Sequence, residues 1–169
     1  MSSEAAPSIE AAAARTPAAF SVRPATQADA PALAVAVCSL LVELGADPSP
    51  QPTLQQAARA LLEDETASAL LVADADGAVV GFLGASWQTA LRIPGRYGLI
   101  QELWVHPDWR SRTVGAALLS ALCELARERG VARIEVGLPG ARFAGLAATE
   151  TFYETNGFAA IGTRMRRLL

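Results

Sequence analysis

Leu99-Ile100-Gln101-Glu102-Leu103-Trp104-Val105-His106-Pro107-Asp108-Trp109-Arg110-Ser111-Arg112-Thr113-Val114-Gly115-Ala116-Ala117 is the stretch that decides the fold. Its opening, Leu99 to Val105, is mostly apolar and ends at Pro107, which predicts a strand. Then the period changes. Val114, Ala117, Leu118, Ala121, Leu122 and Leu125 recur at helical spacing, predicting an amphipathic helix over Gly115–Arg129 that Gly130 stops. The turn between strand and helix carries Arg110, Arg112 and Gly115. A helix start presents unpaired backbone N–H groups and about half a positive charge, which suits a phosphate. Gly115 lets the backbone approach a ligand closely, and the two arginines add cationic donors. Such residues also serve packing alone in many strand-to-helix turns, so the turn by itself leaves both readings open.

The flanks extend the pattern in both directions. Phe20 to Arg23 reads as a short strand before Pro24, and Thr26 as the cap of a helix running through Leu44 and closed by Gly45. After the proline-rich loop Asp47–Pro52, Leu54, Ala57, Ala58, Leu61 and Leu62 predict a second helix over Thr53–Glu65. Ala69–Ala73 and Ala78–Trp87 form a hairpin about the turn Asp74–Gly77. Arg92–Arg96 reads as a loop, and the strand after it as Tyr97–Val105. Beyond the amphipathic helix come a strand over Ala132–Leu138, a helix over Ala144–Asn156 stopped by Gly157, and a last strand over Phe158–Arg166. The order β-αα-βββ-α-β-α-β predicts one α/β domain over residues 20–169 with strands of mixed direction. Residues 1–19, rich in Ala, Ser, Pro and Glu, read as a disordered leader and not as a signal peptide.

Composition removes several function classes. A chain of 169 residues buries about 68–70% of its unfolded surface and needs no metal or disulfide scaffold. Fourteen basic against seventeen acidic residues, net charge -3, argue against nucleic acid as a partner. Every basic residue is Arg; without Lys there is no Schiff base, lysine-bearing phosphate loop or kinase lysine. One histidine, His106, cannot assemble the usual His/Cys zinc site with Cys38 and Cys123, so no metal is expected. The two cysteines read as buried thiols in a reducing compartment. The longest apolar stretch, Ala30–Val42, is too short to cross about 30 Å of bilayer. No membrane partner and a cytoplasmic location are therefore expected.

Arg110-Ser111-Arg112-Thr113-Val114-Gly115, following Val105-His106-Pro107, resembles the diphosphate loop of the GNAT superfamily of acyl-CoA-dependent N-acetyltransferases. That loop reads Gln/Arg-x-x-Gly-x-Gly/Ala after a strand ending Val-x-Pro. Downstream, Phe152-Tyr153-Glu154-Thr155-Asn156-Gly157-Phe158 is similar to the family's Tyr-x-x-x-Gly-Phe segment. Two positions depart from the pattern. Thr113 stands for the first loop glycine, and Leu146 for an asparagine that often bonds the pantetheine arm. The resemblance implies a GNAT-like fold, with splayed parallel strands at Leu99–Val105 and Ala132–Leu138 and flanking helices. It also implies acetyl-CoA as cosubstrate, held by Trp104, Val105, Arg110, Arg112, Thr113, Val114, Gly115 and Ala116. A backbone N–H near Trp104 or Val105 would meet the thioester carbonyl. The implied activity is direct acetyl transfer to a primary amine, with a homodimer as the family's default state. A small-molecule acceptor is expected, because one compact domain leaves little chain to dock a protein. The departures at Thr113 and Leu146 keep open an alternative: an acyl-CoA-binding sensor or partner subunit without turnover.

The chemistry can be weighed residue by residue. An amine of pKa near 10.4 costs roughly 4–5 kcal/mol to deprotonate at pH 7, so a base is useful. Alternation puts Leu99, Gln101, Leu103 and Val105 on one strand face and Ile100, Glu102 and Trp104 on the other. Glu102 is thereby shown beside an aromatic, opposite the Leu103/Val105 pair, where an apolar wall raises a carboxyl pKa. Acting as the base, pairing with an Arg and orienting substrate all remain readings of it. The resemblance implies that Tyr153 assists the departing CoA sulfur. A phenol of pKa about 10 is a weaker acid than a thiol of about 8.5, so full proton transfer is uphill by roughly 2 kcal/mol. A hydrogen bond that strengthens as charge develops fits better, and a ring that only packs is the alternative. His106, just before Pro107, reads as a turn residue.

Overall fold

A computed structural model describes residues 19–162 and Arg167, so the expected leader lies outside it apart from Ala19. Five strands form one sheet in chain order: β1 (Ser21–Pro24), β2 (Ser68–Ala75), β3 (Ala78–Ala90), β4 (Ile93–Val105) and β5 (Ile134–Val136). All neighbours are antiparallel except β4 and β5, which run parallel. Four helices flank the sheet: α1 (Ala30–Glu43), α2 (Gln51–Glu63), α3 (Val114–Glu128) and α4 (Leu146–Thr155). The β2–β3 hairpin turns through Asp76 and Gly77, both at positive φ (51° and 83°), as a two-residue turn between twisted strands requires. Thr26 does start a helical segment, but as one 3-10 turn, Gln27–Asp29; the Asp29 carboxylate accepts the Thr26 N–H at 2.7 Å.

Period-two alternation along β2 and β3 sorts their side chains between two cores. Leu71, Ala73, Leu83 and Ala85 pack with Val114, Leu118 and Leu122 of α3 and with Tyr153 of α4. Val72 and Phe82 pack on the other face with Ala30, Leu33 and Ala36 of α1, Ala58 of α2 and Trp104 of β4. The β3–β4 hairpin is longer than predicted. Most of Arg92–Arg96 belongs to β4, because Ile93 is buried with Tyr97 and Leu99 in a small cluster of its own.

One face assignment on β4 is overturned. Gly84 pairs with Glu102 and Ala85 with Ile100, so Gln101 is an unpaired bulge residue. The extra residue resets the alternation. Ile100 therefore joins the α3-side core near Leu103 and Val105, whereas Trp104 stays on the α1 side.

The parallel ladder between β4 and β5 is short. Its pairs are Gly98–Ile134, Leu99–Glu135 and Ile100–Val136. Beyond Ile100 the two chains separate, so the edge of β4 from Gln101 to Val105 has no ladder partner on that side. The strand expected over Ala132–Leu138 is thus cut to three residues. Residues 158–162 form no strand, and 163–166 of the expected last strand lie outside the described residues.

Candidate active site

The parting of β4 and β5 opens a cavity of about 650 Å³. Its wall brings together residues far apart in sequence: Leu40, Glu43 and Leu44 at the end of α1, residues 100–105 of β4, the start of α3, Phe152 and Tyr153 of α4, and Asn156 just after it. Of the residues expected to hold a cofactor, Trp104, Val105, Arg110, Thr113, Val114, Gly115 and Ala116 line it. Arg112 does not. Its guanidinium lies over the Trp109 ring, 5.4 Å from the centroid.

At the cavity wall α3 begins without a cap. Thr113 makes no side-chain bond to the helix, and the first helical backbone bond runs from the Ala117 N–H to the Thr113 carbonyl at 2.9 Å. The N–H groups of Val114, Gly115 and Ala116 are left without a carbonyl partner, as at any uncapped helix start. Ser111 and Thr113 both have left-handed backbones (φ 60° and 66°). Such a conformation costs roughly 1–2 kcal/mol for a residue with a Cβ. The loop therefore keeps at Thr113 the conformation that a glycine would adopt freely. Gly115 lets α3 and α4 approach closely: a Cβ there would lie 3.1 Å from Phe152 Cζ, tighter than an ordinary contact.

The arginine that opens the loop is already engaged. Arg110 Nη2 donates to Glu43 Oε1 at 2.6 Å and its Nε to the Val105 carbonyl at 3.0 Å. The Trp104 indole N–H donates to the same Glu43 oxygen at 3.2 Å. Trp104 thus turns its ring toward α1, leaving only its backbone on the strand edge beside β5. His106 is a turn residue, its Nδ1 accepting the Asp108 N–H at 3.3 Å.

Glu102 lies in the cavity wall with no cation or hydrogen-bond donor beside it among the described residues. Burial alone holds its carboxyl above the usual glutamate range. Gly84, its partner on β3, makes room: a Cβ there would sit 2.6 Å from Glu102 Oε2. Tyr153 is 7% exposed, with Phe152 and Phe158 edge-on, each at 5.2 Å between centroids. Burial pushes its hydroxyl up to about 12. Leu146, at the asparagine position, is the first residue of α4 and does not line the cavity.

Sequence reading missed Glu43, Phe152 and Asn156. Glu43 ends a helix so apolar that one carboxylate at its tip reads as ordinary solubility. Asn156 follows α4 and donates to the Phe152 carbonyl at 2.8 Å, and nothing local marked either residue as facing a cleft.

Solved structures share this architecture. One is a transcriptional regulator from Bacillus halodurans C-125, with 22% identity, TM-score 0.77, and 89% of this chain and 100% of that one covered. A protein from Arthrobacter sp. FB24, provisionally described as an acetyltransferase, has 27% identity and TM-score 0.74, covering 98% and 100%. A ribosomal-protein-alanine N-acetyltransferase from Brucella melitensis biovar Abortus 2308 has 24% identity and TM-score 0.70, covering 89% and 99%. No curated protein matches the sequence. The pattern of the acetyltransferase (GNAT) family matches residues 37–158, a span holding the bulged strand, the loop and the tyrosine segment. By sequence and by fold alike, the chain belongs to the acetyltransferase (GNAT) family.

Proposed function

We propose that the protein transfers an acetyl group from acetyl-CoA to the primary amine of a small molecule by direct attack. One observation carries this reading: an uncapped helix start and an unpaired, half-buried carboxylate, Glu102, open onto the same cavity where β4 and β5 part. The donor set fits a diphosphate. The N–H groups of Val114, Gly115 and Ala116 would hold it, with the unused donors of Arg110 beside them and Arg112 at the rim. The β5-facing edge of β4 near Trp104 and Val105 would take the pantetheine arm. Acetyl-CoA supplies, when bound, the activated acetyl group as a thioester.

The chain's own residues then handle protons. Glu102, with its raised pKa, takes a proton from the substrate ammonium, directly or through water, and the neutral amine then attacks the thioester carbonyl, forming the C–N bond as the C–S bond breaks. The Tyr153 hydroxyl donates a hydrogen bond toward the departing sulfur. At about 12 its pKa lies some 3.5 units above a thiol's 8.5, so full proton transfer is uphill by about 5 kcal/mol. A hydrogen-bond donor is the role left to it. A small acceptor suits the cavity of about 650 Å³, a size typical of small-molecule sites.

Thermal unfolding in the presence of acetyl-CoA tests the site: ligand at 100 times Kd should add about 2.7 kcal/mol of stability. Thiol release across a panel of amines and peptide N-termini then tests turnover. No thermal shift would remove the site. A shift without thiol release from any acceptor would favour the sensor reading, and release only from peptides would replace the small-molecule acceptor.

A further inference from the structure

We infer that Glu43 is a positioning residue for the cofactor loop, tying the end of α1 to the diphosphate-side wall through Arg110. The inference rests on the acetyl-CoA reading above. Glu43 belongs to neither the β4 edge nor the loop; it ends α1, next to Leu40 and Leu44 on the far wall of the cavity. Its Oε1 accepts from two donors that come from different elements, Trp104 Nε1 on β4 (3.2 Å) and Arg110 Nη2 in the loop (2.6 Å). Arg110 closes the ring by donating its Nε to the Val105 carbonyl (3.0 Å). One carboxylate oxygen therefore fixes the end of α1, the end of β4 and the first residue of the loop.

The pair is part-exposed, 33% for Glu43 and 45% for Arg110, so as a bare surface ion pair it would do little for stability. Its effect lies in order. The loop after Arg110 runs through two residues held at positive φ, Ser111 and Thr113. A segment that adopts so costly a backbone needs anchors at both ends. Val114, the buried first residue of α3, is one, and Arg110 is the other. With Arg110 fixed, the N–H groups of Val114 to Ala116 are arranged before a diphosphate arrives, and binding forfeits less chain freedom.

Positioning and simple charge make opposite predictions. If Glu43 only offset the charge of Arg110, removing it would free a cation beside the diphosphate and tighten binding. As an anchor, its loss should loosen the loop and weaken binding. The experiment uses the full chain and compares Glu43→Ala, Glu43→Asp and Glu43→Gln with the unaltered protein. Calorimetry gives Kd for acetyl-CoA, and initial rates with whichever amine responds give KM and kcat. Glu43→Ala should raise Kd and the acetyl-CoA KM about tenfold, the loss of one charge-assisted bond, with kcat unchanged because Glu43 touches no reacting atom. Glu43→Asp keeps the charge but falls short of both donors, so its Kd should also rise; this variant serves if Glu43→Ala does not fold. Glu43→Gln keeps the reach and one accepting oxygen, and should stay within about threefold of the unaltered chain. An equal or lower Kd in both Glu43→Ala and Glu43→Asp overturns the inference, as does a fall in kcat at constant KM, the mark of a smaller folded fraction. Absence of acetyl-CoA binding by the unaltered chain overturns the reading beneath it and this inference together.

Discussion

Glu102 and Tyr153 are both displaced from ordinary acidity by burial, with opposite uses. A carboxyl held above its usual range is a better base near neutrality; a phenol held at about 12 is a poorer acid. Glu102→Gln should lower kcat by about 10²–10⁴ and erase the acid limb of the pH–rate profile. That limb should lie above the ordinary glutamate pKa, since the raised group must lose its proton before it can act. The same shift has a stability consequence of known sign. The folded chain holds this proton more tightly than the unfolded one, so the group costs stability above its unfolded pKa and not below it. Glu102→Gln should therefore raise the thermal midpoint at pH 7 while lowering activity, which scanning calorimetry will show. Tyr153→Phe should cut kcat by about 10²-fold with little change in the Kd for acetyl-CoA, as measured by stopped assays and calorimetry. Equal rates would leave Tyr153 as a packing ring. Both residues were legible in the sequence, Glu102 by its place on a strand beside an aromatic and Tyr153 by the segment around it. Glu43 was not, because its partners Trp104 and Arg110 come from more than 60 residues away.

At the scale of elements, the start of α3 and the face of α4 meet at Gly115 and Phe152. A Cβ at residue 115 would approach the Phe152 ring to 3.1–3.2 Å, so the glycine serves helix packing as well as anion access. Gly115→Ala should need only a small ring displacement, whereas Gly115→Val should cost about 1–3 kcal/mol in urea unfolding and abolish acetyl-CoA binding. Combining Gly115→Val with Phe152→Leu should recover stability without recovering binding; recovery of both would show that the glycine acts through packing alone. The helices and the β2–β3 hairpin were readable because local periodicity and turn residues specify them. The bulge at Gln101 was not. It arises from the pairing of Gly84 with Glu102 and Ala85 with Ile100, a register choice between two strands. A one-residue slip of that kind moves Ile100 to the other core.

Across the whole molecule, Arg23 of β1 joins elements remote in sequence. It reaches Asp29 in the turn before α1 and Asp74 at the end of β2, each at 2.8 Å. The Arg23 guanidinium holds the buried Asp29 carboxyl at about 2. A depressed carboxyl pKa adds stability above the unfolded value and loses it as pH falls toward the folded one, so about 2 kcal/mol should vanish between roughly pH 4 and pH 2. Asp29→Asn should be less stable at pH 7 by a similar amount and show a flatter acid limb in urea titrations. By itself the sequence determined the α/β class, the order of its helices and first strands, the loop that leads into α3 beside Gly115 and the tyrosine segment, since each is written in neighbouring residues. Only the tertiary structure decided the early parting of β4 from β5, the bulge that turns Ile100 away from Glu102, and the carboxylate that α1 brings to Arg110. Those features come from pairing and packing between distant segments, where the energy belongs to the contact and to neither stretch of chain alone.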